Sequence, residues 1–207
     1  MKNSGIRYLA FVAICCVVFS CKQHTGSENT DKEKPVAALK AAADTDKVIP
    51  ADKLIVPGKS AGYITINGSA DSVVNLLGKP DFNDAAMGSV LITWYNKHDT
   101  AADKISIFAR HNYGSPDEAV AHIRKIMITS PEFKTADGLG TGQTLSDYQK
   151  SYTLSPMSSY VEKGKKIKVY EAKGKGIAFG IDSLSDNGVS IFIHRPQDTL
   201  ATYINMN

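Results

Sequence analysis

Hydrophobic and polar positions divide the chain into three unlike stretches. Tyr8 to Phe19 is an unbroken apolar run, Lys22 to about Pro50 is polar and alanine-rich, and short apolar clusters separated by turn residues follow from Leu54 onward. Only the third stretch carries periodicity worth reading as a fold. Val73, Val74, Leu76 and Leu77 form a stripe that predicts a helix over 69–77, capped by Ser69 and stopped by Gly78 and Pro80. Val90–Tyr95 and Lys104–Arg110 are β-branched and aromatic, and predict paired strands. Ser115-Pro116-Asp117-Glu118, followed by Ala119, Ile123, Ile126 and Met127, predicts a helix over 115–127. Lys166–Tyr170, Gly176–Ile181 and Val189–His194 predict three further strands, the last two joined by a turn at Asp186-Asn187-Gly188.

The two halves echo one another. Ala70–Pro80 lies in register with Ser146–Pro156, and Ile105–His111 parallels Val189–Arg195. The predicted fold class is therefore α+β: two related modules of a helix with antiparallel strands, at 53–113 and 133–207, joined by a connecting helix at 114–132.

The N-terminal stretch carries an address. Lys2 and Arg7 precede the apolar run, and Ser20-Cys21 ends it, which is the layout of a secretory signal over 1–20. The run is too short for the roughly 20 residues that span a bilayer. Val18-Phe19-Ser20-Cys21 resembles a bacterial lipobox, which implies cleavage before Cys21 and lipidation of its thiol. Residues 21–52 then form the lipidated cysteine and a flexible tether, too poor in large apolar residues to order on their own. The expected location is the bacterial cell envelope, with Lys22 after the cysteine pointing to the outer membrane. The partners expected are membrane lipid through acylated Cys21 and an envelope protein or glycan.

Charge and cysteine usage narrow the function classes. The formal net charge of +3 falls to +1 once Lys2 and Arg7 leave with the signal, so nucleic acid is not an expected partner. Cys15 and Cys16 leave too, and a lipidated Cys21 removes the last thiol, which excludes disulfides and cysteine chemistry from the mature fold.

Several patterns suggest chemistry. Gly58-Lys59-Ser60-Ala61-Gly62 fits Gly-x-Ser-x-Gly, and Asp182 and His194 follow in triad order, so Ser60, Asp182 and His194 are the candidate residues of a small serine hydrolase. The strand-like Tyr63–Ile66 stands where that motif needs a helix, and a non-catalytic domain is the favoured reading. Gly58-Lys59-Ser60 is not a phosphate loop, because Lys53 occupies the position of its first glycine. The five histidines show no ligand spacing, so neither a metal nor a cofactor is expected. Six lysines between Lys163 and Lys175 read as a solvated strand face, or as a weak attraction to anionic headgroups.

The capping serine, a helix ending in Leu76-Leu77-Gly78-Lys79-Pro80, and the aromatic strand around Trp94-Tyr95 resemble the SmpA/OmlA type of outer-membrane assembly lipoprotein. The tandem layout is similar to the β-lactamase inhibitor protein fold. The resemblance covers about 62–110, with a fainter copy at 138–195, and implies binding or scaffolding units without chemistry.

Overall fold

A computed structural model describes residues 48–198 and Met206. The expectations for the signal segment, Cys21 and the tether up to residue 47 fall outside the described residues. The described residues belong to one compact unit. It contains the strands β1 (Leu54–Val56), β2 (Ser60–Ala61) and β3 (Ile64–Thr65), the helix α1 (Ala70–Leu77), and the strands β4 (Phe82–Ala86), β5 (Ser89–Tyr95), β6 (Lys104–His111) and β7 (Ala121–Ile128). The chain continues through β8 (Lys134–Thr135), α2 (Leu145–Ser151), β9 (Ser155–Glu162), β10 (Lys165–Ala172), β11 (Ile177–Asp182) and β12 (Gly188–His194).

The expected α+β class is overturned: the described residues are mostly strand, with only two short helices. Eight strands form one antiparallel sheet in the order β4-β5-β6-β7-β12-β11-β10-β9, and a small sheet, β3-β2-β1-β8, lies beside it. No helix joins two modules. The segment predicted as a connecting helix is a turn followed by β7, a central strand flanked by β6 and β12. The Ser115 hydroxyl does not accept from a backbone N–H as a helix cap would; it is a donor that closes turns, 2.6 Å from both Asn112 O and Asp117 Oδ1. Ile123, Ile126, Met127 and Ile128 satisfy a helical stripe and a strand buried on both faces equally well. The ladders on both sides of β7 decide for the strand.

The sheet is assembled from two meanders, each preceded by a short helix hung in the same way. Ser69, the cap of α1, bridges His122 in β7, and Thr144, the cap of α2, bridges Asn187 just before β12. At α1 the Ser69 hydroxyl accepts from Asp71 N at 3.2 Å, and α2 has a full capping box in which Thr144 and Asp147 serve each other. The sequence echo at 70–80 and 146–156 thus falls on α1 and α2. The second echo compares β6, a third strand, with β12, a fourth, and so joins elements that occupy different places.

One face of the large sheet holds the main core. Ile107, Ile123, Ile126, Ile128, Ile177, Ile191 and Ile193 are fully buried there with Phe179, under Val73 of α1, Tyr148 of α2 and Ile55 of the small sheet. Tyr148 stacks on Phe179 with ring centroids 4.1 Å apart and donates to Gly140 O at 2.6 Å. Burial pushes the Tyr148 phenol up to about 12. Helices and the small sheet cover this isoleucine face, which leaves the opposite face to be explained.

Candidate functional site

The register of the ladders defines the opposite face. Leu91, Phe108, Lys125 and His194 lie side by side across β5, β6, β7 and β12, and the next row runs Thr93, Ser106, Met127, Phe192, Ala178 and Glu171. Eight polar or charged residues are buried among the described residues. Seven of them, all but Thr135, stand on this face: Thr93, Ser106, Lys125, Glu171, Asp182, Ser190 and His194. Burying such groups costs free energy unless each is partnered, so their segregation onto one face is not what packing alone selects.

The partners are reached across the sheet. Thr93 Oγ1 and Ser106 Oγ share a hydrogen bond of 2.8 Å. Tyr160 Oη and Ser190 Oγ lie 3.0 Å apart although β10 and β11 separate their strands. That reach needs a strand without bulk between them: a Cβ on Gly180 would collide with Ser190 Oγ and come within 3.3 Å of the Tyr160 hydroxyl. Glu171 passes over β11 in the same way at Ala178, and its Oε1 lies 3.0 Å from His194 Nε2. That contact is at ion-pair distance but off the line of a hydrogen bond. His194 Nδ1 is 2.9 Å from Arg195 O, so both ring nitrogens are engaged. Lys125 Nζ sits 4.7 Å from the Phe192 ring centroid. Desolvation brings its ammonium down to about 8, against the opposing pull of the Glu171 charge.

Apolar residues fill the gaps. Met127, Val169, Ala178, Phe192 and Met206 form a buried cluster, with Leu91, Phe108, Met157 and Tyr160 half-buried at its rim. Methionines suit a surface that must adapt to irregular shapes.

The face is concave. Five strand spacings separate β6 from β9, about 24 Å in a flat sheet at ~4.8 Å each. Yet Lys104 Nζ of β6 bonds Glu162 Oε1 of β9 at 2.7 Å, and Lys163 Nζ donates to Ala101 O at 3.0 Å. The sheet must therefore curl over its polar side until the β9–β10 hairpin meets the β5–β6 loop. A cavity of about 230 Å³ opens at this clasp, lined by Tyr95, Asp103, Lys104, Thr129 and Glu162 among others. Beyond the loop lies a second cleft of about 370 Å³ bordered by Trp94, His98 and Phe133. There Lys97 and His98 both take left-handed backbone angles, and His98 Nδ1 bonds Asp81 Oδ1 at 2.7 Å.

The residues of the expected triad are not brought together. Ser60 lies in the small sheet, paired with Val56 and Thr65, and its loop joins two strands where a nucleophile elbow needs a strand and a helix. Asp182 ends β11 at the end of the strand remote from the residues opposite His194; it holds Lys165 at 3.3 Å and accepts from Leu184 N at 3.0 Å. The Leu184 amide and Lys165 keep its carboxyl below the usual aspartate range. No group of three or more metal-ligating side chains occurs among the described residues.

The residues of the polar face carried one signal in the sequence. Lys104-Ile-Ser-Ile-Phe108 and Ser190-Ile-Phe-Ile-His194 alternate, placing isoleucine on one side and Ser, Phe and a charged or titratable residue on the other. Read strand by strand, this is a two-faced strand buried on both sides. Only the sheet order shows that both strands turn the same side to the same face. No protein family, curated protein or solved structure matches this chain.

Proposed function

We propose that the chain is a lipoprotein of the bacterial envelope, held to a membrane by acylated Cys21, whose β domain binds an envelope protein or glycan through the concave polar face. The lipobox-like Val18–Cys21 supports the anchor, and no described helix is long and apolar enough to cross a membrane. The observation that carries the binding reading is the gathering of seven buried polar residues on one face of a sheet whose other face is apolar and rich in isoleucine. The free energy put into that arrangement is explained by recognition, since the isoleucine face supplies the core. The half-buried rim of Leu91, Phe108, Met157 and Tyr160 offers the contact surface, and the buried pairs behind it fix its shape. A photo-cross-linking side chain at Phe108 tests this in the native envelope. The anchored chain is expected to give one discrete adduct and Cys21→Ser to give none; adducts equal in both, or absent from both, contradict the reading.

A further inference from the structure

The six lysines between Lys163 and Lys175 do not form one surface. At the clasp end, Lys163 donates to Ala101 O and Lys165 holds Asp182. Lys173 and Lys175 lie at the other end of β10, on the turn into β11, and there they meet cations from elsewhere in the chain. Gly58 N bonds Gly176 O at 3.2 Å, which brings Lys59 on the β1–β2 turn beside Lys175. Gln197 N bonds Lys173 O at 3.1 Å, which brings Arg195 to the same place. Three turns are thus laced together by backbone bonds and present Lys59, Lys173, Lys175 and Arg195, all exposed and none in an ion pair among the described residues. Asp198 is the one acidic residue on these turns.

We propose that this four-cation end is a membrane-docking surface for the anionic phospholipid headgroups of the bilayer that holds the anchor. The inference rests on the proposed anchor for its setting, and on charge complementarity for its partner. Each lysine or arginine near an anionic surface raises affinity about fivefold, so four together give roughly 600-fold over a neutral bilayer. That is weak for a free protein. For a domain tied to the same bilayer through the proposed anchor it is enough, because a covalent link of about 27 residues sets an effective concentration of about millimolar. Docking also fixes an orientation. β10 runs from Lys165 at the clasp to Ala172 beside the cationic turns, about 25 Å at ~3.4 Å per residue. The clasp and its cavity therefore face away from the membrane.

The test is co-sedimentation of the mature full-length chain carrying Cys21→Ser, so that no acyl chain contributes. Vesicles are phosphatidylcholine alone or phosphatidylcholine mixed with phosphatidylglycerol. The expected result is binding to the mixed vesicles, at least about 100-fold above the neutral ones and falling with added salt. Joint replacement of Lys59, Lys173, Lys175 and Arg195 by Glu removes it, whereas Lys166→Glu with Lys168→Glu changes it less than about threefold. Equal binding to both vesicles, no binding to the anionic ones, salt-insensitive binding, or an equal loss in the Lys166/Lys168 variant overturns the proposal. The salt series needs no variant, so it decides even if the fourfold replacement does not fold. Because acylation is absent from the assay, docking and anchoring fail separately.

Discussion

The two faces of the eight-stranded sheet are made by the same strands and yet solve different problems. On one, isoleucines from β6, β7, β11 and β12 interdigitate beneath two helices and a small sheet, and no charge is buried. On the other, Lys125, Glu171 and His194 are buried within three strands of one another, hydroxyls pair across the sheet, and the strands curl inward until Lys104 meets Glu162. The first face can be built from hydrophobicity and shape alone. The second demands specific partners at specific distances, which is the cost a protein bears for recognition more readily than for stability.

That contrast can be broken experimentally, most strongly with matched aromatic residues. Phe179→Ala on the isoleucine face should cost about 3–5 kcal/mol, since the ring is fully buried and stacked on Tyr148. Phe108→Ala on the concave rim should cost only about 1–2 kcal/mol, because its side chain is only partly buried. Denaturant melts of the two variants giving the same loss would remove the distinction.

A second prediction concerns pH. The Lys125 ammonium is held at about 8 in the folded protein, chiefly by burial, and near 10.5 when unfolded. Below about pH 8 both states carry the charge, and folding bears the full cost of burying it. Between about 8 and 10.5 the folded state loses its proton first, so stability should rise with pH through that window. The difference in pKa corresponds to at most about 3 kcal/mol. Lys125→Met should flatten this rise relative to the parent chain. Parallel melting curves across the window would show that Lys125 is not desolvated as described.

Gly180→Ala is the smallest change and probes the hydroxyl pair. The added methyl collides with Ser190 Oγ and should cost about 1–3 kcal/mol through the lost Tyr160–Ser190 bond and the displaced strand. Combined with Ser190→Ala it should cost less than the sum of the two, read as a coupling in a double-mutant cycle. Simple additivity would mean that the pair does not shape the face.

Much of the strand content was legible. Val90–Tyr95, Lys104–Arg110, Lys166–Tyr170, Gly176–Ile181 and Val189–His194 all fall on observed strands. The turn expected at Asp186-Asn187-Gly188 lies a few residues earlier, at Ser183-Leu184-Ser185: Asp186 follows it at φ 58°, Asn187 bridges Thr144 and Gly188 opens β12. The short helix 69–77 is α1 with its cap in place. β7 was missed because its four large apolar residues in eight fit both periods, and only its two neighbours in the sheet separate them. β4 was missed because Phe82–Ala86 is an exposed edge with no buried residue, paired with β5 through the backbone ladder. β9 carries Pro156, a residue that edge strands accept and sequence patterns read as a break. The concave site was hidden for a different reason. Its residues are spread over seven strands, and nothing local in the sequence says which strands lie side by side.

The central claim is that the concave face, and not the helical side, meets the partner. Photo-cross-linkers at Phe108, on the rim, and at Leu76, half-exposed on α1, measure it directly when introduced singly into the anchored chain. The account predicts a discrete adduct from Phe108 at a yield at least about tenfold above that from Leu76, because only the first probe lies against the partner. Equal yields, or an adduct from Leu76 alone, would contradict it.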